Sequence, residues 1–116
     1  MKVGKRYLYV NNENTTFTGD VVNVTDIAVT IRNRSCESHK NSSGAFHMPH
    51  DHIRWTFPLE NLIKGQRYIF TINDDSHTCE GVLVDIIGRH DTVRLKTDNG
   101  SITAFSIYCV KKIHCF

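Results

Sequence analysis

The sequence predicts an all-β protein: two tandem five-stranded small barrels, descended from an internal duplication and packed together, with nothing helical beyond short 3₁₀ or α turns. Three observations predict it. First, "VGKRYLYV" at residues 3–10 returns as "KGQRYIFT" at residues 64–71, with Gly, Arg and Tyr identical and an aliphatic and an aromatic residue following in both. Second, apolar and polar residues alternate over runs of four to eight, rich in β-branched and aromatic types. Third, Asn, Asp and Gly punctuate those runs, most clearly in "TDNGS" at residues 97–101, a tight-hairpin signal.

The elements follow in order along each copy. In the first strand Tyr7 and Tyr9 share a face, as do Tyr68 and Phe70, while Leu8 and Ile69 point the other way. The second strand is "TGDVVNV" (18–24), answered by "EGVLVDI" (80–86), with Val22, Val24, Val84 and Ile86 expected inward. Gly19 and Gly81 precede it, where a small barrel needs a sharp bend or bulge. The third is "VTIRN" (29–33), answered by "VRLKT" (93–97). For the fourth, "WTFPLENLI" (55–63) is matched to "TAFSIYCVK" (103–111), so that the one-turn pieces "PLENLI" and "SIYCVKK" fall at the same place in each copy. Matched this way, Val29 to Phe57 spans twenty-eight positions and Val93 to Phe105 only twelve. The first copy then carries a sixteen-residue insertion, an inserted loop at about 34–54, where the second copy has a tight Asp-Asn-Gly turn.

Four strands, a short turn and a closing strand form a plan that resembles the SH3-like superfamily, which includes Tudor, KOW and Sm-like barrels. The residues that carry the resemblance are "EGVLVDI", "TVRLKTDNGSITAF" and "SIYCVKKI", covering most of the second copy and, loosely, the first. It implies two SH3-like barrels, at residues 1–62 and 63–116, with binding contacts made by loops. The join at 61–65 has no Pro/Ser-rich linker, which points to a rigid tandem, and "KGQRYIFTIN" could close the first barrel while opening the second. Barrels of about fifty-five residues bury little surface alone, which is the reason to expect the copies to pack together or exchange a strand.

Composition excludes several classes. The net charge is +2, with seven Lys/Arg and six Asp/Glu in each of residues 1–62 and 63–116, so neither half carries the field of a strong polyanion binder or an acidic mimic of one. There is no run of eighteen apolar residues and no hydrophobic leader in "MKVGKRYLYV", so no membrane partner is expected and the chain reads as cytoplasmic. The four cysteines, Cys36, Cys79, Cys109 and Cys115, are scattered and read as free thiols. Five N-x-[ST] sequons, at Asn14, Asn23, Asn33, Asn41 and Asn99, read as polar turns. No G-x-S-x-G, P-loop or paired-carboxylate arrangement occurs, and His77 with Cys79 reads as a fortuitous neighbour pair, so the chain is not expected to be an enzyme.

The stretch "SCESHKNSSGAFHMPHDHIRW" (35–55) holds a cysteine and four of the seven histidines. Its main reading is a polar loop that needs no cofactor. The alternative is structural zinc, held by Cys36 and His39 with two of His47, His50 and His52. A catalytic metal centre fits poorly, because the spacing of "HMPHDH" differs from the H-x-H-x-D-H of metallo-β-lactamase-like hydrolases and the chain is too short for that fold.

The function expected is therefore non-catalytic binding and regulation. Basic residues interleaved with aromatics, taken as Arg32, Arg34, Arg54, Trp55 and Tyr9 beside the inserted loop, point to nucleic acid. The alternative is a protein-interaction or inhibitory module that binds a host protein through loop 34–54, and the Asn/Thr/Ile-rich composition fits a phage or viral accessory protein. A Tudor-like barrel implies a further device, an aromatic cage for methylated lysine or arginine, for which Tyr9, Phe17, Trp55 and Phe57 are the candidates.

Overall fold

Each copy of the repeat opens on a turn that glycine alone makes without strain: Gly4 and Gly65 sit at φ of 86° and 87°. The computed structural model describes residues 1–33, 45–73, 77–88 and 91–115. Gly4 N–H donates to the Val21 carbonyl (2.8 Å) and Gly65 N–H to that of Leu83 (2.9 Å), while Val21 and Leu83 N–H donate back to Lys5 and Gln66. The arginine after each turn pairs across the sheet, Arg6 with Asp20 and Arg67 with Glu80. The tyrosine hydroxyls accept backbone N–H groups of the turn, Tyr7 from Lys2 at 2.9 Å and Tyr68 from Ile63 at 2.8 Å. The Gly, Arg and Tyr that the two copies share thus each hold one part of the same turn.

The described residues form ten strands: β1 (Arg6–Asn11), β2 (Thr16–Val24), β3 (Ala28–Asn33), β4 (Ala45–Pro49), β5 (Ile53–Pro58), β6 (Arg67–Ile72), β7 (His77–Ile87), β8 (Thr92–Lys96), β9 (Ile102–Ser106) and β10 (Val110–Cys115). They make two antiparallel five-stranded sheets, ordered β4-β3-β2-β1-β5 and β10-β6-β7-β8-β9. A three-strand meander flanked by a first strand that also receives the last is the SH3-like plan, and it is present twice. The chain divides into Met1–Asn61 and Leu62–Phe116. Strand β6 pairs with β7 and β10, so each sheet is completed by strands of its own unit.

Cross-strand register corrects the reading of the second strand in each copy. In β2, Val21 faces Ile31 and the next pair is Asn23 with Thr30; in β7, Leu83 faces Leu95 and the next pair is Asp85 with Arg94. A bulge therefore absorbs Val22 and Val84. Val21 and Leu83 are the buried residues, whereas Val22 is 40% exposed and Val84, at the same bulge position, is half-buried, so Val21 and Leu83 hold the inward places expected for Val22 and Val84. Period-two alternation fails where an extra residue enters the strand. Gly19 and Gly81 lie before these bulges and serve a different end: a Cβ on Gly19 would collide with Ile31 and stand 2.8 Å from the Arg32 carbonyl oxygen, and one on Gly81 would stand 2.7 Å from that of Lys96.

The fourth strand of the first unit is β4, not the segment containing Trp55. Val29 pairs with Met48 as Val93 pairs with Phe105, so the counterpart of Phe105 is Met48 rather than Phe57. Val29 to Met48 spans nineteen positions against twelve, and the insertion is seven residues, not sixteen. The 3₁₀ turn His50–His52 answers Ile107–Cys109, and β5 answers β10; Leu59–Asn61 follows β5 and is not the equivalent of Ile107–Cys109. Of the expected loop at 34–54, residues 45–54 are therefore strand, 3₁₀ turn and strand.

The core of the first unit gathers Tyr7, Tyr9, Phe17, Val21, Val29 and Ile31, with Phe46, Met48 and Ile53 packed against them. The second unit buries Tyr68, Phe70, Leu83, Val93, Leu95, Ile107, Val110 and Ile113.

Candidate functional site

Strand alternation separates the aromatics that the sequence brings together. Tyr9 faces Thr56 and lies fully buried in the core, its ring stacked on Phe17 at 5.1 Å and 14°. Trp55 faces Val10 and Phe57 faces Leu8, which places both on the other side of the sheet, with their ring centroids 5.8 Å apart. Tyr9, Phe17, Trp55 and Phe57 thus line no common cage. Tyr9 also has no surface to offer a stacked base, and burial pushes its phenol pKa up, with smaller contributions from Tyr7 and Asp20.

The arginines are dispersed as well. Arg32 is exposed on β3, level with Asp20 and hence with Arg6 at one end of the sheet. Arg54 is the bulged residue of β5, level with Val10 and Asn11 at the other end, where its Nη1 donates to Asn14 Oδ1 at 3.1 Å. About four residues of strand, roughly 13 Å, separate those two levels. Arg34 lies outside the described residues.

The three described histidines of the metal set have separate partners. A nitrogen of His47 (Nδ1) lies 2.7 Å from Thr30 Oγ1; His50 Nε2 donates to the Thr25 carbonyl at 2.8 Å, and His52 Nε2 stands 4.0 Å from Asp51. Cys36 and His39 lie outside the described residues. Among the described residues no three His, Cys, Asp or Glu side chains converge as a metal would require.

The surface that sequence reasoning missed is one end of the first unit. It is built by the β1–β2 turn, the β2–β3 turn and the 3₁₀ turn His50–His52. Asn11 Oδ1 accepts from the Glu13 and Thr15 N–H groups, and Asn12 ties its turn to the 3₁₀ turn through the Asp51 and His52 carbonyls. Thr25 caps the other turn by bonding Ala28, and His50 N–H donates to Ile27. Two shallow open depressions result. One, of about 350 Å³, is lined by Asn11, Asn12, Glu13, Met48 and His52; the other, of about 390 Å³, by Asp26, Ile27, Ala28, Pro49, His50 and Asp51.

The second unit carries a buried residue at the position of His50. Ile107 N–H donates to Asp91 just as His50 N–H donates to Ile27, but Ile107 is 1% exposed and sits in the core, whereas His50 is half-buried. Ile27, in the position of Asp91, is 77% exposed, while Asp91 accepts a hydrogen bond from the Tyr108 hydroxyl. The signal in the sequence was the exchange of His50 for Ile107, legible only in the correct register.

No protein-family model matches the chain, and a comparison with curated proteins gives no match. Among solved structures, the chain is similar to the crystal structure of the ADCP1 tandem Agenet domain 3-4, at 19% identity over 99% of this chain and 79% of that one, with a TM-score of 0.33. The fold described above rests on strand order and register in the chain itself. No helix among the described residues is long and apolar enough to cross a membrane.

Proposed function

We propose that this chain is a non-catalytic binding module whose partner is a protein, engaged through residues 45–54 and the two turns beside them. The observation that carries the reading is the contrast between the copies at one position: Ile107 of the second unit is buried in the core, whereas its counterpart His50 is half-buried and lines an open depression of the first. A scaffold that keeps the same turns, bulges and close glycine contacts in both copies, yet sets His50 at an open surface where the other copy buries Ile107, differs at a place a partner can reach.

Charge placement favours protein over nucleic acid. Lys5 pairs with Glu60, Arg6 with Asp20, Arg67 with Glu80 and Asp98, and Arg94 with Asp85, so these basic groups already spend their charge on carboxylates. The perturbed ionisable groups are structural ones. The Arg94 guanidinium, hydrogen-bonded to Asp85 (Nε to Oδ1, 2.6 Å), holds that carboxyl below its ordinary range and is itself raised by the pair.

The test is a swap. Replacing Met48–His52 with "FSIYC" from the second copy should abolish capture of a protein partner by the full chain while leaving its circular dichroism unchanged. Affinity for single-stranded DNA or RNA that falls steeply with salt and survives the swap would instead establish the nucleic-acid reading.

A further inference from the structure

The depression lined by Asp26, Ile27, Ala28, Pro49, His50 and Asp51 has a mixed chemistry that narrows its ligand. Ile27, Ala28 and Pro49 give it apolar lining, and Ile27 is the most exposed large hydrophobic residue among the described residues at 77%. Asp26 and Asp51 bring two carboxylates to the same depression. Among the described residues Asp26 has no basic partner, and the Asp51 side chain is 88% exposed with the adjacent His52 imidazole 4.0 Å away. His50 Nε2 donates to the Thr25 carbonyl at 2.8 Å. An open depression lined by apolar residues and by two exposed carboxylates with no Lys or Arg paired to them among the described residues suits a long aliphatic stem that ends in a cation.

We propose that this notch receives a lysine or arginine side chain of the partner protein, its stem on Ile27 and Pro49 and its charged head at Asp26 and Asp51. The inference rests on the protein-binding reading above and specifies its ligand. At the equivalent positions of the second unit Ile107 is buried in the core, and Asp91, which stands for Ile27, accepts from the Tyr108 hydroxyl.

The experiment is an amide-resolved NMR titration of the full chain with four acetylated, amidated tripeptides, Ala-X-Ala, where X is lysine, arginine, norleucine or glutamate. The lysine and arginine peptides should shift the amides of Ile27, Ala28, His50 and Asp51; norleucine should bind about threefold to tenfold more weakly, and glutamate should produce no shift there. The Asp26→Asn/Asp51→Asn double variant should lose the preference for lysine over norleucine, and Ile27→Ser should weaken both. Equal response to lysine and glutamate, or shifts confined to other residues, overturns the proposal. If the wild-type chain captures a protein partner and the Asp26→Asn/Asp51→Asn variant captures it equally well, the site falls while the protein-binding reading stands. If the tripeptides bind as expected and the "FSIYC" swap leaves capture intact, that reading falls by itself.

Discussion

Tyr9 faces Thr56 across β1 and β5 at the position where, in the second unit, Phe70 faces Ile113 across β6 and β10. Both hydroxyls of the first pair are buried without a hydrogen-bond partner, and the second copy shows the same scaffold closing over hydrocarbon at both places. A buried hydroxyl with no partner costs the folded state its solvation. Tyr9→Phe, and separately Thr56→Val, should therefore raise the free energy of unfolding by about 1 kcal/mol each. Urea denaturation followed by Trp55 fluorescence measures this, and a loss of stability would show that the hydroxyls are bonded in solution.

The buried phenol also sets an alkaline limit. Tyr9 holds its proton more tightly folded than unfolded, because burial disfavours the phenolate. Above about pH 10, where an unfolded tyrosine ionises, the native state binds more protons than the unfolded one, so stability falls as pH rises. The urea midpoint should decline from about pH 10 upward, and Tyr9→Phe should decline less steeply. Identical slopes in the two proteins would remove Tyr9 from the account.

Much of this architecture was legible because the shared residues do local work. Gly4 and Gly65 are fixed by φ, Arg6 and Arg67 by a facing carboxylate, and Tyr7 and Tyr68 by a turn amide five residues back, so all three types survive in the text of both copies. The sequence matches the wrong strand to strand four because Trp55 and Phe57 resemble Phe105 in chemistry, while the true counterpart of Phe105, Met48, is not aromatic and stands among histidines. Hydropathy identifies a strand but not its partner; register does, and register here depends on bulges at Val22, Val84 and Arg54 that alternation cannot show. The candidate site was hidden for the same reason, since His50 means little until it is set against Ile107.

The two kinds of glycine should separate by cost. Gly19→Ala and Gly81→Ala drive a methyl group into the carbonyl oxygens of Arg32 and Lys96, which belong to rigid ladders, and each should destabilise by about 3 kcal/mol or more. Gly4→Ala and Gly65→Ala meet open space, so only the positive φ resists them, at about 1 kcal/mol each. Thermal unfolding of the four variants gives the order, and equal losses would mean that β2 and β7 shift to admit the methyl group.

Tyr7 and Tyr68 provide the opposite sign from Tyr9. Their rings are buried beside the core, but each hydroxyl accepts a backbone N–H, from Lys2 or Ile63, that otherwise has to find water at the edge of the turn. Removing the oxygen leaves the ring packing intact and withdraws that bond, so Tyr7→Phe and Tyr68→Phe should each lower stability by about 1 kcal/mol. Hydrogen exchange reads the cause directly: the Lys2 amide should exchange faster in Tyr7→Phe and the Ile63 amide faster in Tyr68→Phe, with the other turn unaffected in each case. Destabilisation without faster exchange at those two amides would place the cost in the core rather than in the turn.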